Sequence, residues 1–388
     1  MAGCIVGWAH TPFGKLPEED VEALIARVAT QAVADAGLEP ADIGAVYLGV
    51  MNNGFSKQDF SAGMIAQADP RFRFTPATRL ENACATGSAA IHAGLNYLAA
   101  KRGKFVLVVG AEKMTAKSVA EVSDILLGAS YRREEAAVNG GFAGIFGRIA
   151  GAYFARYGDQ SDALARIAAK NHRNGVDNPY AQLRRDLGYE FCRTVCESNP
   201  YVAEPLRRTD CSPISDGAAA LVLADEETAR GMRRAVRFRA AVQVNDYLPL
   251  SRRSATAFEG AAAAWRNGFA EAGVGLDDLS FVETHDCFTI AELIEYEAMG
   301  LAPEGRGARA IEEGWTEREG RLPVNRSGGL KAKGHPIGAT GVSMHAIAAM
   351  QLTGEAGPMQ LPGPRLGGVF NMGGAAVANY VSILERVK

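Results

Sequence analysis

Apolar residues follow two rhythms along this chain. In residues 23–49, ALIARVATQAVADAGLEPADIGAVYLG, they recur every three to four positions and stop at Ala36-Gly37. After a short loop ending in Asp42-Ile43 they continue as a compact apolar run. This predicts an amphipathic helix followed by a buried strand. Residues 260–285, GAAAAWRNGFAEAGVGLDDLSFVETH, repeat the helix, the Ala272-Gly273 stop, the Asp278-Leu279 pair and the strand. Ala272 lies 236 positions after Ala36. A second pair is offset by 254: CATGSAAIHAGLNYL from Cys84 and GATGVSMHAIAAMQL from Gly338. Each is a helix of small residues leading to an apolar strand, at 104–112 and 367–375. Two copies in the same order predict a pseudo-twofold pair of α/β halves, with helices covering buried sheets.

Residues 119–208 break the pattern with helical runs, glycines at 140, 141, 144, 147 and 151, and several arginines. They read as an excursion inserted in the first half, which resumes at SPISDGAAALVLADEE (212–227). The glycine series does not follow a clear strand, so close helix packing fits it better than a phosphate-binding fingerprint.

Composition narrows the function. Of 388 residues, 47% are hydrophobic and 22% charged, as in ordinary globular proteins. Lysine and arginine number 41 against 44 acidic residues, a net charge of -3. That excludes a nucleic-acid binder relying on global charge. No apolar run approaches the ~20 residues that span a bilayer, and neither end reads as a targeting signal. A cytoplasmic protein with no membrane partner is therefore expected. Six cysteines are too sparse for a disulfide framework, and none shows zinc-ligand spacing.

Four segments carry candidate chemistry. Cys84, in NACATGSAAIH, precedes a helix whose amino terminus would favour the thiolate and lower its pKa. A passenger cysteine on a tightly packed helix fits the same residues. His335, in GLKAKGHPIGATG, sits on a glycine-flanked turn that suits a general base or an oxyanion donor, or a backbone-bonded turn histidine. His285 and Cys287, in FVETHDCF, end a strand two residues apart and would face one cleft if the chain is extended. The glycines of FNMGGA (370–375) would offer backbone N–H groups to an oxyanion, or simply form a turn.

Together, NACATGSAA, HDCF, GHPIGATG and NMGGA resemble the thiolases, most closely the sterol-carrier-protein-2 type, over essentially the full chain. KNHRNGVDNPYAQ (170–182) and CSPISDGAAA (211–220) resemble the same subfamily. The resemblance implies a five-layer αβαβα thiolase fold of two similar halves. Residues 1–118 with 209–235 would form the first half and 236–388 the second, with 119–208 an inserted loop domain over coenzyme A. It also implies acyl exchange between coenzyme A thioesters and Cys84 as nucleophile. His335 would take the thiol proton, and Cys287 would be the acid/base. His285 would help bind an oxyanion through water. The backbone N–H groups of Cys84 and Gly373 would form a second oxyanion hole. Arg207 and Arg208 are candidates for coenzyme A phosphates. Coenzyme A enters as substrate or product, with no tightly bound cofactor and no metal. A homodimer or homotetramer is implied. Relatives of this fold also include aldolases, condensing synthases and, in principle, non-catalytic acyl-CoA or lipid carriers. In the commoner thiolases the second catalytic cysteine lies in the carboxy-terminal glycine motif; here Asn371 holds that position, and the HDCF cysteine replaces it.

Overall fold

The computed structural model describes residues 3–388. The first half opens with β1 (Cys4–His10), α1 (Val21–Asp35) and β2 (Ala45–Gly49). A short α2 (Ile65–Ala68) leads to β3 (Ala77–Leu80), α3 (Thr86–Ala99) and β4 (Phe105–Glu112). The excursion holds α4 (Val119–Leu126), α5 (Arg132–Glu135), α6 (Gly141–Tyr157), α7 (Ser161–Val176) and α8 (Gly188–Arg193). A small hairpin of β5 (Tyr201–Ala203) and β6 (Leu206–Arg207) follows. β7 (Gly217–Ala224) and α9 (Glu226–Ala229) close this half. The second half begins with β8 (Val236–Asn245), α10 (Glu259–Ala272), β9 (Phe281–Glu283) and α11 (Thr289–Ala298). It ends with α12 (Ala308–Glu312), α13 (Gly329–Lys333), α14 (Ile337–Thr353), β10 (Leu366–Gly373) and β11 (Ala378–Arg386).

Nine strands hydrogen-bond in the order β3-β2-β4-β7-β1-β8-β11-β10-β9. The order is mirrored about the β1–β8 junction, with β3 an additional edge strand of the first half. β2 runs parallel to β4 as β9 does to β10. β7 is antiparallel to β4 and β1, as β11 is to β10 and β8. The halves join through a short antiparallel contact, Cys4 with Arg237 and Ile5 with Val236.

Side-chain alternation builds the layers. On β4, Leu107, Val109 and Ala111 pack in the core cluster that holds Leu24, Ile25 and Val28 of α1. Val106 and Val108 point the other way, into the cluster containing Ile91 and Leu95 of α3 and Val342 of α14. On β11, Val381 meets Gly268 of α10, while Ser382 bonds His345 of α14. The result is α1, first-half strands, α3 with α14, second-half strands, and α10. α1 starts where the Asp20 side chain accepts the Ala23 N–H, and its buried residues fall on one stripe. α14 has no such stripe: every residue from Ile337 to Leu352 is buried.

The two central helices cross by backbone contact. A Cβ on Gly87 would lie 2.7 Å from the Val342 nitrogen, and one on Gly341 would lie 2.4 Å from the Ser88 nitrogen. Only glycine permits this approach, which is why the helices read as rich in small residues.

Candidate active site

The amino-terminal ends of α3 and α14 converge with the loops after β9 and β10. Between β3 and α3 the chain turns sharply, with Ala83 in the left-handed region at φ 49°. Thr86 braces the turn: its hydroxyl accepts the Asn82 N–H (2.8 Å) and donates to the Ala83 carbonyl (2.6 Å). Cys84 follows directly, 2% exposed. The HDCF segment leaves β9 as a loop, not an extended strand. Asp286 ties it down, accepting from Leu330 N (2.6 Å), Lys331 N (3.1 Å) and Asn171 Nδ2 (2.7 Å). Asn171 also donates to Glu292 (2.6 Å), beside the buried ion pair of Lys170 with Glu292. The His335 N–H donates to Ser215 Oγ (3.1 Å).

Ligand atoms of Cys84, His285 and His335 all lie within 4.8 Å of one another, and all three residues are buried. The imidazole rings meet edge to face with centroids 5.0 Å apart. Cys287 is close enough to Cys84 for the Cys84 charge to raise its pKa. Cys84, His285 and His335 thus come together from segments far apart in the chain, with Cys287 two residues past His285 and within electrostatic reach of Cys84. Depressions of about 460 and 550 Å³, around Arg148 and around Lys113, lie elsewhere; none of the four residues lines them.

Each imidazole has one committed nitrogen and one free one. His335 Nδ1 contacts Thr340 Oγ1 (2.7 Å). That hydroxyl donates to the Pro336 carbonyl (3.0 Å), so it accepts from Nδ1–H. His335 Nε2 is then a bare lone pair, buried without a protein partner. His285 Nδ1 contacts Asn371 Nδ2 (2.9 Å), and its Nε2 is likewise buried and unpartnered. Burial first, then the Lys333 charge, pushes His335 down to about 3. Burial, then His335 and Lys333, takes His285 well below its ordinary value. Both rings are neutral near pH 7.

The lowered pKa expected for Cys84 is corrected here. Burial pushes the thiol up to about 12, outweighing the N–H groups of Gly374 and of Cys84 itself, which pull it down. Desolvation of the charged form exceeds the helix-end effect. Burial, then the Cys84 charge, raises Cys287 well above the ordinary thiol value. The resting site therefore holds two thiols and two neutral imidazoles. Gly373 ends β10, and it is the neighbouring Gly374 whose N–H reaches the sulfur.

The arginine expectation is also corrected. Arg207 is buried, paired with Asp210 (2.8 Å), and donates to the Arg193 and Ser161 carbonyls (2.9 and 3.0 Å). Its guanidinium is committed inside the protein and offers no phosphate site. Arg208 is exposed. Asn371 was noted in the sequence without a role, and Thr340, Ser215, Asp286, Asn171 and Glu112 were not singled out there. All but Glu112 lie in motifs quoted above, but their roles depend on partners distant in sequence.

The chain is similar to known proteins over nearly its whole length. Residues 4–227 match the family profile "Thiolase, N-terminal domain", and residues 242–386 match "Thiolase C-terminal domain-like". An acetyl-CoA acetyltransferase of Methanothermobacter thermautotrophicus is 36% identical over 385 residues, spanning 98% of this chain and 99% of that protein. Sterol carrier protein 2 of Oryctolagus cuniculus is 33% identical over 398 residues, spanning 96% of this chain and 70% of the relative. Human mitochondrial 3-ketoacyl-CoA thiolase, solved in complex with CoA, shares the fold with a TM-score of 0.76 at 16% identity, covering 100% of this chain and 98% of that one. The Ltp2-ChsH2(DUF35) aldolase shares it with a TM-score of 0.83 at 21% identity, covering 99% and 97%.

Proposed function

The chain belongs to the thiolase family, and from that premise we propose that it is an acyl-CoA acyltransferase that cleaves or forms 3-ketoacyl-CoA through an acyl-Cys84 intermediate. The observation that carries this reading is the convergence of Cys84, His285 and His335 within 4.8 Å, with Cys287 alongside.

The chemistry follows from the protonation states. Cys84 rests as a thiol, so its proton leaves for the bare Nε2 of His335 as sulfur attacks the substrate's 3-keto carbon. The oxyanion at that carbon meets the N–H groups facing the Cys84 sulfur. The C2–C3 bond breaks, leaving the acyl group on sulfur and an acetyl-CoA enolate. His285 faces the enolate oxygen, together with His335 once it is protonated. Cys287, held as a thiol, delivers its proton to the enolate carbon. A second coenzyme A then attacks acyl-Cys84, and its thiol proton returns to Cys287. The reverse sequence is a Claisen condensation.

The experiment is mass spectrometry of the protein mixed with acetyl-CoA. One acetyl group on Cys84 is expected, absent from Cys84→Ala and retained in Cys287→Ala. Cys287→Ala is expected to lose carbon–carbon cleavage of a 3-ketoacyl-CoA. Acetylation that persists in Cys84→Ala, or cleavage that proceeds without a thiol acceptor, as in an aldol reaction, would remove the assignment.

The reading includes its setting. Residues 119–208 are proposed as the cover over coenzyme A, between the half formed by 1–118 with 209–235 and the half at 236–388. Exposed Arg208 remains a candidate for the coenzyme A phosphates. Six free cysteines suit a reducing cytoplasm. Among the described residues, no helix is long and apolar enough to cross a membrane. β3 leaves an open sheet edge that suits pairing with a second copy in a homodimer or homotetramer.

A further inference from the structure

We infer that Asn371 is a positioning residue. Its amide fixes the tautomer in which His285 presents Nε2–H to the site, and so keeps the Cys84–His285–His335 cluster from closing on a soft divalent cation such as zinc. The catalytic half of this inference rests on the acyltransferase reading; the tautomer does not.

The amide orientation is set independently of the histidine. Asn371 Nδ2 lies 3.1 Å from the Cys84 carbonyl, which can only accept, and Asn371 Oδ1 accepts from Ser88 Oγ at 2.7 Å. Turning the amide over would set oxygen against oxygen at Cys84. The same Nδ2 lies 2.9 Å from His285 Nδ1. Two donors cannot face each other there, so Nδ1 is the acceptor. Burial keeps the ring neutral, with its single proton on Nε2. That nitrogen is buried, has no protein partner, and belongs to the cluster with Cys84 and His335. His335 has the opposite tautomer through Thr340. One imidazole is therefore a ready base and the other a ready donor, as a nucleophile paired with an oxyanion requires.

Cysteine and histidine at this spacing are also ligands for zinc, which takes deprotonated nitrogen and sulfur. Binding through both Nε2 atoms needs the His285 proton moved to Nδ1, against the Asn371 donor. The amide opposes that shift. An aspartate at 371 would accept from Nδ1–H and favour it.

The test has two arms, neither needing substrate. In ¹⁵N-histidine-labelled resting protein, the resonances missing from His285→Asn belong to His285. They are expected to show the proton on Nε2; a proton on Nδ1 overturns the inference. In the second arm, ZnCl₂ protects Cys84 from iodoacetamide. Asn371→Asp is expected to lower the half-protecting concentration about tenfold or more, reversed by EDTA. Asn371→Ala, which removes the amide without supplying an acceptor, is expected to gain less. Equal protection in wild type and Asn371→Asp overturns the inference. If Asn371→Asp fails to fold, the wild-type spectrum decides. In turnover, Asn371→Asp is expected to lower kcat of thiolysis about 100-fold, as loss of an oxyanion donor does. A wild type that never acetylates would sink the acyltransferase reading while the spectrum still decides the tautomer.

Discussion

β4 and β10 hold mirrored places in the sheet, yet they meet the central helices differently. Two residues before the end of β4 stands Gly110, and two before the end of β10 stands Asn371. A Cβ on Gly110 would sit 2.4 Å from the Gly338 carbonyl, so α14 presses directly on the strand. At Asn371 an amide fills the corresponding gap and bonds Cys84, Ser88 and His285. The final residues show the reverse. Glu112 ends β4 and accepts from Met51 N (2.9 Å), Asn52 N (3.1 Å) and Gly338 N (3.1 Å). Gly373 ends β10, and a Cβ there would meet the Asn82 carbonyl at 2.4 Å. A duplicated scaffold thus becomes a single site by exchanging side chain for glycine at two places. The first half contributes Cys84, the proposed nucleophile, and a rigid seat for α14. The second contributes His335 and His285, proposed as base and donor, and the Cys287 thiol.

The largest expected break in that comparison is at Glu112. Removing its side chain in Glu112→Ala strands three buried N–H groups, each worth about 1–3 kcal/mol. A loss of at least ~3 kcal/mol in denaturant unfolding is expected, with activity lost because α14 carries the His335 turn. A loss within surface-mutation range would show that the carboxylate does not seat the helix. Next is Gly110→Ala, which adds one methyl where backbone already fills the space; overpacking of this kind costs about 1–3 kcal/mol. Gly151→Ala is the control for an added methyl: no atom would lie near its Cβ, and it sits inside α6 outside the left-handed region. Equal losses in the two variants would remove the close approach as the reason for glycine at 110. The mildest probe is reactivity. With the Cys84 thiol pushed up to about 12, its thiolate grows throughout the neutral and alkaline range. Iodoacetamide labelling of Cys84 should climb about tenfold per pH unit from roughly pH 7 to 10 without a plateau. A plateau near neutrality would mean a resting thiolate–imidazolium pair.

The scaffold was legible because its signals are local. The helix–stop–strand repeat appears as α1 to β2 and as α10 to β9, and the paired runs of small residues appear as α3 and α14. The four candidate side chains were legible from motif resemblance; the structure clusters Cys84, His285 and His335 and puts Cys287 within electrostatic reach of Cys84. The bonding of Asn371 was not legible, because its partners Ser88 and His285 lie 283 and 86 positions away. The same holds for Asp286, whose bonds to Asn171 and the Leu330 backbone cross 115 and 44 positions. The thiol pKa was misjudged because a sequence shows a helix start but not how much water reaches it. Arg207 was misjudged because a positive charge was read without its Asp210 partner, three residues on.

α14 touches β1, β4 and β7 on one side and β8, β10 and β11 on the other. It has no outward surface: it comes from the second repeat, yet it is buried as much by the strands of the first. Severing the chain between the repeats would leave one piece with an empty trough and the other with a naked greasy rod. The protein should therefore melt in one cooperative transition despite its double construction. Each repeat is hostage to the other: neither can cover its own trough, so neither can live apart.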